Sequence, residues 1–301
     1  MVPTFSVPAH CIHADLREAI PTARSLGFAG VEFDVGATTL DLSALSTSGR
    51  RELRHLVQSH GAQLTALRGD AGPAGLGPSA DVDRVLDRAD QLLSLAAGLG
   101  CALVCLDLGR LPPAQRTPKP KPAVTADMAG LLILPAPAAP PADTPPPEMP
   151  TKIDPALLGH WQQALGQLGE IADRYGVVVA MSSSLSSMAA LLSIVRTTAC
   201  PWFGVDLDTA AARRDEWPVE AVFDEVGNGF RHVRLRDLVL GDASRSKPAV
   251  IGRGDVAWRT LFELLDGAGY HGPLAIDSAD LPEPRAAAVA GLKQLQATLS
   301  A

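Results

Sequence analysis

The stretch DVDRVLDRADQLLSLAAGLGCALVCLD, residues 81–107, carries one complete helix-to-strand unit. Val82, Leu86, Ala89, Leu93 and Ala96 recur at spacings of three and four, which puts them on one face of a helix over Asp81 to Leu99. Gly100 supplies a stop, because glycine tolerates the left-handed conformation that closes a helix. Ala102 to Asp107 then reads as a short buried strand. A strand buried on both faces is a nearly continuous apolar run, as expected for parallel pairing.

The same unit repeats in both directions. Strands are expected near Phe5 to Val7, Gly30 to Val35 and Leu64 to Arg68, and then at Val177 to Met181, Phe203 to Asp208, His232 to Leu235 and Pro273 to Asp277. Helices are expected from Asp15 to Gly27, Ser48 to His60, Asp154 or Pro155 to Tyr175, Met188 to Val195, Val256 to Asp266 and Arg285 to Leu299. Alternation of this kind points to parallel strands with crossover helices. Eight units in 301 residues match a (β/α)8 barrel occupying residues 1–301 as one domain. An open doubly wound sheet would want a glycine-rich turn after the first strand. The segment Pro8-Ala9-His10-Cys11-Ile12-His13 has no glycine.

The repeat is interrupted after the fourth strand. About half of the 25 prolines fall in residues 111–150, so this stretch is neither helix nor central strand. It reads as an extended surface insertion within the barrel. The apolar island Leu131-Leu132-Ile133-Leu134 is expected to dock on the barrel or pair with a neighbouring chain, which leaves a homo-oligomer open.

Composition narrows the function classes. The net charge is -7 and aromatic residues make up 4%, so neither a basic stripe nor a stacking platform for nucleic acid is present. No apolar run is long enough to span a bilayer, and the N-terminus lacks the pattern of a signal peptide. The four cysteines show no metal-binding spacing and suit a reducing cytoplasm.

In a barrel of this kind, chemistry sits at the C-terminal ends of the strands. The polar residues there are His10, Glu32, Asp34, Arg68, Asp70, Asp107, Ser182, Asp206, Asp208, Arg234, Asp237 and Asp277. Such a concentration of carboxylates and arginines implies a polar pocket. Asp70, Asp206 and Asp237 are the residues expected to cap helices instead. His232 has the parity of Arg234 and should face inward, deeper in the barrel.

Four stretches resemble one family. They are Ser25 to Phe33, Phe203 to Thr209, Arg231 to Asp237, and Gly252 to Trp258 followed by Gly269 to Asp277. Their order and spacing are similar to those of the xylose isomerase-like barrels, the sugar phosphate isomerases and epimerases. The resemblance implies a divalent cation held by Glu, Asp, His and Glu from the last four strands. In this chain those positions are Ser182, Asp208, Arg234 and Asp277, and the substrate-side His of the family is Ala211. A guanidinium has donors and no acceptor, so it cannot ligate a cation. The expectation is therefore no metal and no other cofactor, with Arg234 bridging Asp208 and Asp277 in the cation's place.

The resemblance implies a sugar or sugar phosphate ligand and an isomerase or epimerase reaction. Glu32, Asp208 and Asp277 would transfer protons. His10, Arg68, Asp107, Arg234 and Arg253 would bind substrate, the arginines by stabilising an anion or oxyanion. The alternative is a non-catalytic barrel that binds a polyol or a protein partner.

Overall fold

In the computed structural model of the chain, which describes residues 3–112, 155–198, 200–214, 219–241 and 246–300, the helix expected from Asp81 runs over Val82–Leu99. The Asp81 side chain accepts the amide of Arg84, and Gly100 takes a left-handed φ of 73°. Its apolar face, from Val85 and Leu86 to Leu95 and Leu99, is buried.

The elements in chain order are β1 (Phe5–Pro8), α1 (Ala9–Ile12), α2 (Leu16–Ser25), β2 (Gly30–Asp34), α3 (Thr47–Ser59), β3 (Gln63–Asp70), α4 (Val82–Leu99) and β4 (Leu103–Asp107). They continue as α5 (Pro155–Tyr175), β5 (Val178–Ser182), α6 (Met188–Thr197), β6 (Phe203–Asp208), α7 (Thr209–Arg214), α8 (Val219–Val226) and β7 (Phe230–Leu235). The last are β8 (Asp237–Leu240), β9 (Ser246–Ala249), α9 (Trp258–Gly267), β10 (Leu274–Ile276) and α10 (Pro284–Ser300).

Eight parallel strands close a barrel in the order β1-β10-β7-β6-β5-β4-β3-β2. Closure pairs Phe5 with Leu274 and Ser6 with Gly30. Gly30 is needed at that seam, since a Cβ there would stand 2.5 Å from Thr65 Cγ2. Apolar side chains fill the space between barrel and helices, among them Phe28, Phe33, Leu67, Leu93 and Trp161. The sequence placed all eight barrel strands.

The antiparallel hairpin of β8 and β9 was not expected from the sequence. It pairs Asp237 with Ala249 and Leu240 with Ser246 outside the barrel. Its strands are four residues long and β9 contains Pro248, so periodicity leaves no trace of it. The proline-rich insertion and its Leu131–Leu134 island lie outside the described residues.

Candidate active site

The barrel interior below the rim is ionic. Glu32, His232 and Asp206 are each exposed by 1% or less, and Arg68 by 7%. His232 Nε2 lies 2.7 Å from Glu32 Oε1, and Nδ1 lies 2.6 Å from Asp206 Oδ1. Arg68 Nη1 donates to Asp206 Oδ2 at 3.0 Å, and Nη2 stands 3.6 Å from Glu32 Oε2. Ser6 donates to Glu32 Oε1 at 3.0 Å. Strand alternation explains the assembly, because Asp206 and His232 are register partners on adjacent strands and face the same interior.

Burial alone would lower the His232 pKa, but the acids around it, Cys105, Glu32 and Asp206, raise it well above its usual value. Burial also pushes the Cys105 thiol up, so at neutral pH it is uncharged and the two carboxylates hold the imidazolium. Burial opposes ionisation of Glu32 and Asp206 as well. The His232 and Arg68 charges overcome it and hold both carboxyls below their ordinary range.

Above this layer is an open cavity of about 450 Å³ at the C-terminal ends of the strands. One wall comes from β2, β3 and β4 and is acidic. Asp34, Asp70 and Asp107 end these three strands, and each is followed two residues later by a glycine. Each Oδ1 accepts that glycine's amide, Gly36, Gly72 and Gly109, at 2.8 to 2.9 Å. Asp107 Oδ2 also accepts the Ser184 amide. The opposite wall is built on β6, α7 and the end of β7, and carries Asp208, Ala211, Arg214, Arg234 and Arg236. Arg68 closes the floor between the walls. The hairpin contributes Asp237, Leu238, Ser246 and Pro248.

Arg234 sits at the rim but does not bridge two carboxylates as expected. Its Nε and Nη2 both reach Asp277 Oδ2 at 2.5 Å. Asp208 is instead taken by Arg236, whose Nη1 donates to it at 2.8 Å while Nη2 holds Asp280. Arg236 follows Arg234 at the spacing that returns a strand side chain to the same face, which was the available signal for it. Burial disfavours the Asp277 carboxylate, yet Arg234 holds its pKa well below the usual range. Cys11 lies 3.8 Å from Asp277, and burial pushes its thiol up to about 12.

The expected caps also sort differently. Asp208 caps α7 by accepting the Ala210 and Ala211 amides. Asp206 caps nothing and belongs to the ionic interior. Asp237 gathers the amides of Leu238, Gly252, Gly254 and Val256 and the Trp258 indole, which fixes the loop behind the hairpin rather than a helix start.

Among the substrate-binding residues expected from sequence, Arg68, Asp107 and Arg234 line the cavity. His10 lies instead beside Cys11 and Glu283, against the start of α10. Arg253 is exposed and outside the cavity wall. Among the carboxylates expected to move protons, Asp208 is in the wall, while Glu32 and Asp277 lie behind it.

The four positions where the family resemblance implies a cation are Ser182, Asp208, Arg234 and Asp277. They do not make a fitting donor set, since a guanidinium occupies one of them and both carboxylates are already paired with guanidinium groups. Cys105, Asp206 and His232 bring their ligand atoms within 4.8 Å of one another. Both imidazole nitrogens there are engaged by carboxylates, so no nitrogen lone pair faces a cation.

The sequence matches the family model described as xylose isomerase-like TIM barrel over residues 20–298. No curated protein matches it. A xylose isomerase domain protein from Planctomyces limnophilus is similar, with a TM-score of 0.71 and 16% identity over 98% of this chain and 96% of that one. A xylose isomerase-like TIM barrel protein from Mycobacterium smegmatis in complex with magnesium has a TM-score of 0.68 and 15% identity over 100% and 99%. The 3-keto-D-glucoside 4-epimerase from E. coli has a TM-score of 0.66 and 16% identity over 98% and 100%. At such identities the likeness to these structures establishes the fold.

Proposed function

The chain belongs to the xylose isomerase-like TIM barrel family, and from that premise we propose that it takes a small sugar or sugar phosphate in the rim cavity and isomerises or epimerises it without a divalent cation. The observation that carries this reading is the cavity, which has a size suited to a small ligand and both carboxylates and guanidinium groups in its wall. Its position at the C-terminal ends of the strands is where barrels of this kind place their chemistry. Structural relatives include a 3-keto-D-glucoside 4-epimerase and D-allulose 3-epimerase in complex with D-allulose.

The reaction class needs a base beside a carbon next to a carbonyl, and positive charge for the enolate oxygen. Asp208 is the base in this reading, as the one of Glu32, Asp208 and Asp277 that lies in the cavity wall. Arg234, fixed by its two contacts to Asp277, supplies donors to the developing oxyanion. Asp277 acts by holding Arg234 in place, and Glu32 by pairing with His232 and Arg68 beneath the cavity.

A second reading, a non-catalytic barrel that binds a polyol, is favoured by the ties of Asp208, whose Oδ1 accepts the Ala210 and Ala211 amides and whose Oδ2 is held by Arg236, so that both oxygens already hold hydrogen bonds. Solvent exchange decides between them. Ketoses and ketose phosphates incubated with the protein in D2O should gain deuterium next to the carbonyl, equally with and without a chelator. Loss of exchange on chelation would overturn metal-free chemistry. Saturable binding with no exchange would leave the binding reading.

A further inference from the structure

We propose that a second cavity, between α1 and α10, binds a small aromatic carboxylate. It shares no lining residue with the rim cavity, and the proposal stands independently of the sugar reading.

The cavity has a volume of about 770 Å³, within the range of small-ligand sites. Its floor is apolar. Ala286, Val289 and Ala290 of α10 line it together with Cys11 and Ile12 of α1, and the two helices pack on each other. α10 turns another face, with Ala288, Leu292 and Leu295, into the hydrophobic core. The outward face of such a helix is ordinarily polar. Here Ala286 and Ala290 are exposed, and Val289 is half-buried between them.

Basic side chains stand around this floor. Arg285 and Lys293 are exposed on α10 and line the cavity. They lie two i+4 steps apart, roughly 12 Å along the helix, with Val289 midway on the same stripe. Neither side chain has an ion pair or hydrogen bond among the described residues, so their donors are open to a ligand. His10 joins them from α1. Its Nδ1 is shielded from solvent and has no hydrogen-bond partner. A lone pair costs less to leave unpaired there than an N–H, so the ring proton belongs on Nε2, where it is a donor. Glu283 is the single acid of the lining.

Two cations and an imidazole donor around an apolar floor fit an anion with an apolar body. A carboxylate takes charge-assisted hydrogen bonds from the guanidinium or the ammonium. The short side chains of Ala286 and Ala290 leave room for a flat ring against the helix, where its burial supplies most of the attraction.

The test is fluorescence titration of the full chain with 2-naphthoate. Its uncharged counterpart 2-naphthylmethanol and the ringless anion acetate are run in parallel. Naphthoate should saturate a single site at least about tenfold more tightly than the alcohol, and acetate should not saturate. Ala290→Glu puts a carboxylate on the floor and should abolish naphthoate binding. Lys293→Gln should weaken naphthoate about fivefold and leave the alcohol unchanged. Both positions are exposed on α10, so the barrel core is untouched. An equally tight alcohol, naphthoate binding unaffected by Ala290→Glu, or no saturable binding at all would each overturn the proposal.

Discussion

Arg234 holds Asp277, and Asp277 is almost fully buried, with its side chain 2% exposed. Arg234→Ala strands that carboxylate. Such a loss typically costs about 3–5 kcal/mol, so the urea midpoint should fall markedly, and an unchanged midpoint would mean the pair carries little. The interior set makes a different prediction, about pH. The His232 pKa is raised on folding, so its contribution is complete below the ordinary histidine value near about 6.5. It fades as pH rises from there through the folded value. Glu32 and Asp206 are lowered, so theirs is complete above about 4 and fades as pH falls through the folded values. Urea midpoints of the wild type should therefore begin to decline above about pH 6.5, before the unfolded thiols ionise near about 8.5, and His232→Gln should lose the slope in that interval. An identical slope in the variant would place the titration elsewhere. At this scale the ligand positions of the family resemblance led to the expectation of a bridge from Arg234 to both Asp208 and Asp277, and only the Asp277 half is present. The sequence did not show that Asp208 belongs to Arg236, because two arginines on one strand face compete and only geometry assigns them.

At the scale of elements, periodicity and turn residues placed the barrel strands and the main helices. The hairpin escaped, because its strands are only four residues long and the loop behind it is tied down by hydrogen bonds to Asp237. Asp237 accepts from four amides and the Trp258 indole. Gly254 must lack a side chain, since a Cβ would stand 2.2 Å from Asp237 Oδ1. Hydrogen bonds to a charged group are worth about 1.5–3 kcal/mol each. Asp237→Ala should therefore destabilise the loop strongly and raise amide exchange at Gly252, Gly254 and Val256 above that of the barrel strands. Protection that falls equally everywhere would instead make Asp237 part of the global core.

At the scale of the whole molecule, action without a divalent cation is the proposal, because Arg234 stands at one of the four positions where the family resemblance implies a ligand and pairs with Asp277 there. Melting temperature should then be insensitive to manganese in the wild type. Ser182→Glu combined with Arg234→His restores the family's ligand types, and manganese should raise the variant's melting temperature by mass action. A strong metal-dependent rise in the wild type would show a site elsewhere or a displaced Arg234. The sequence by itself determined the barrel, since alternating apolar strands and amphipathic helices can bury both faces of a parallel sheet in few other ways. It also determined that Ser182, Asp208, Arg234 and Asp277 lie at or beside the C-terminal ends of β5, β6, β7 and β10. Only the tertiary structure decided which charges meet. Glu32 on β2, Arg68 on β3, Asp206 on β6 and His232 on β7 are far apart in sequence, and barrel closure brings them into one buried set. Residue types announce that partners are needed, whereas strand register and barrel curvature determine which partners lie within hydrogen-bonding reach.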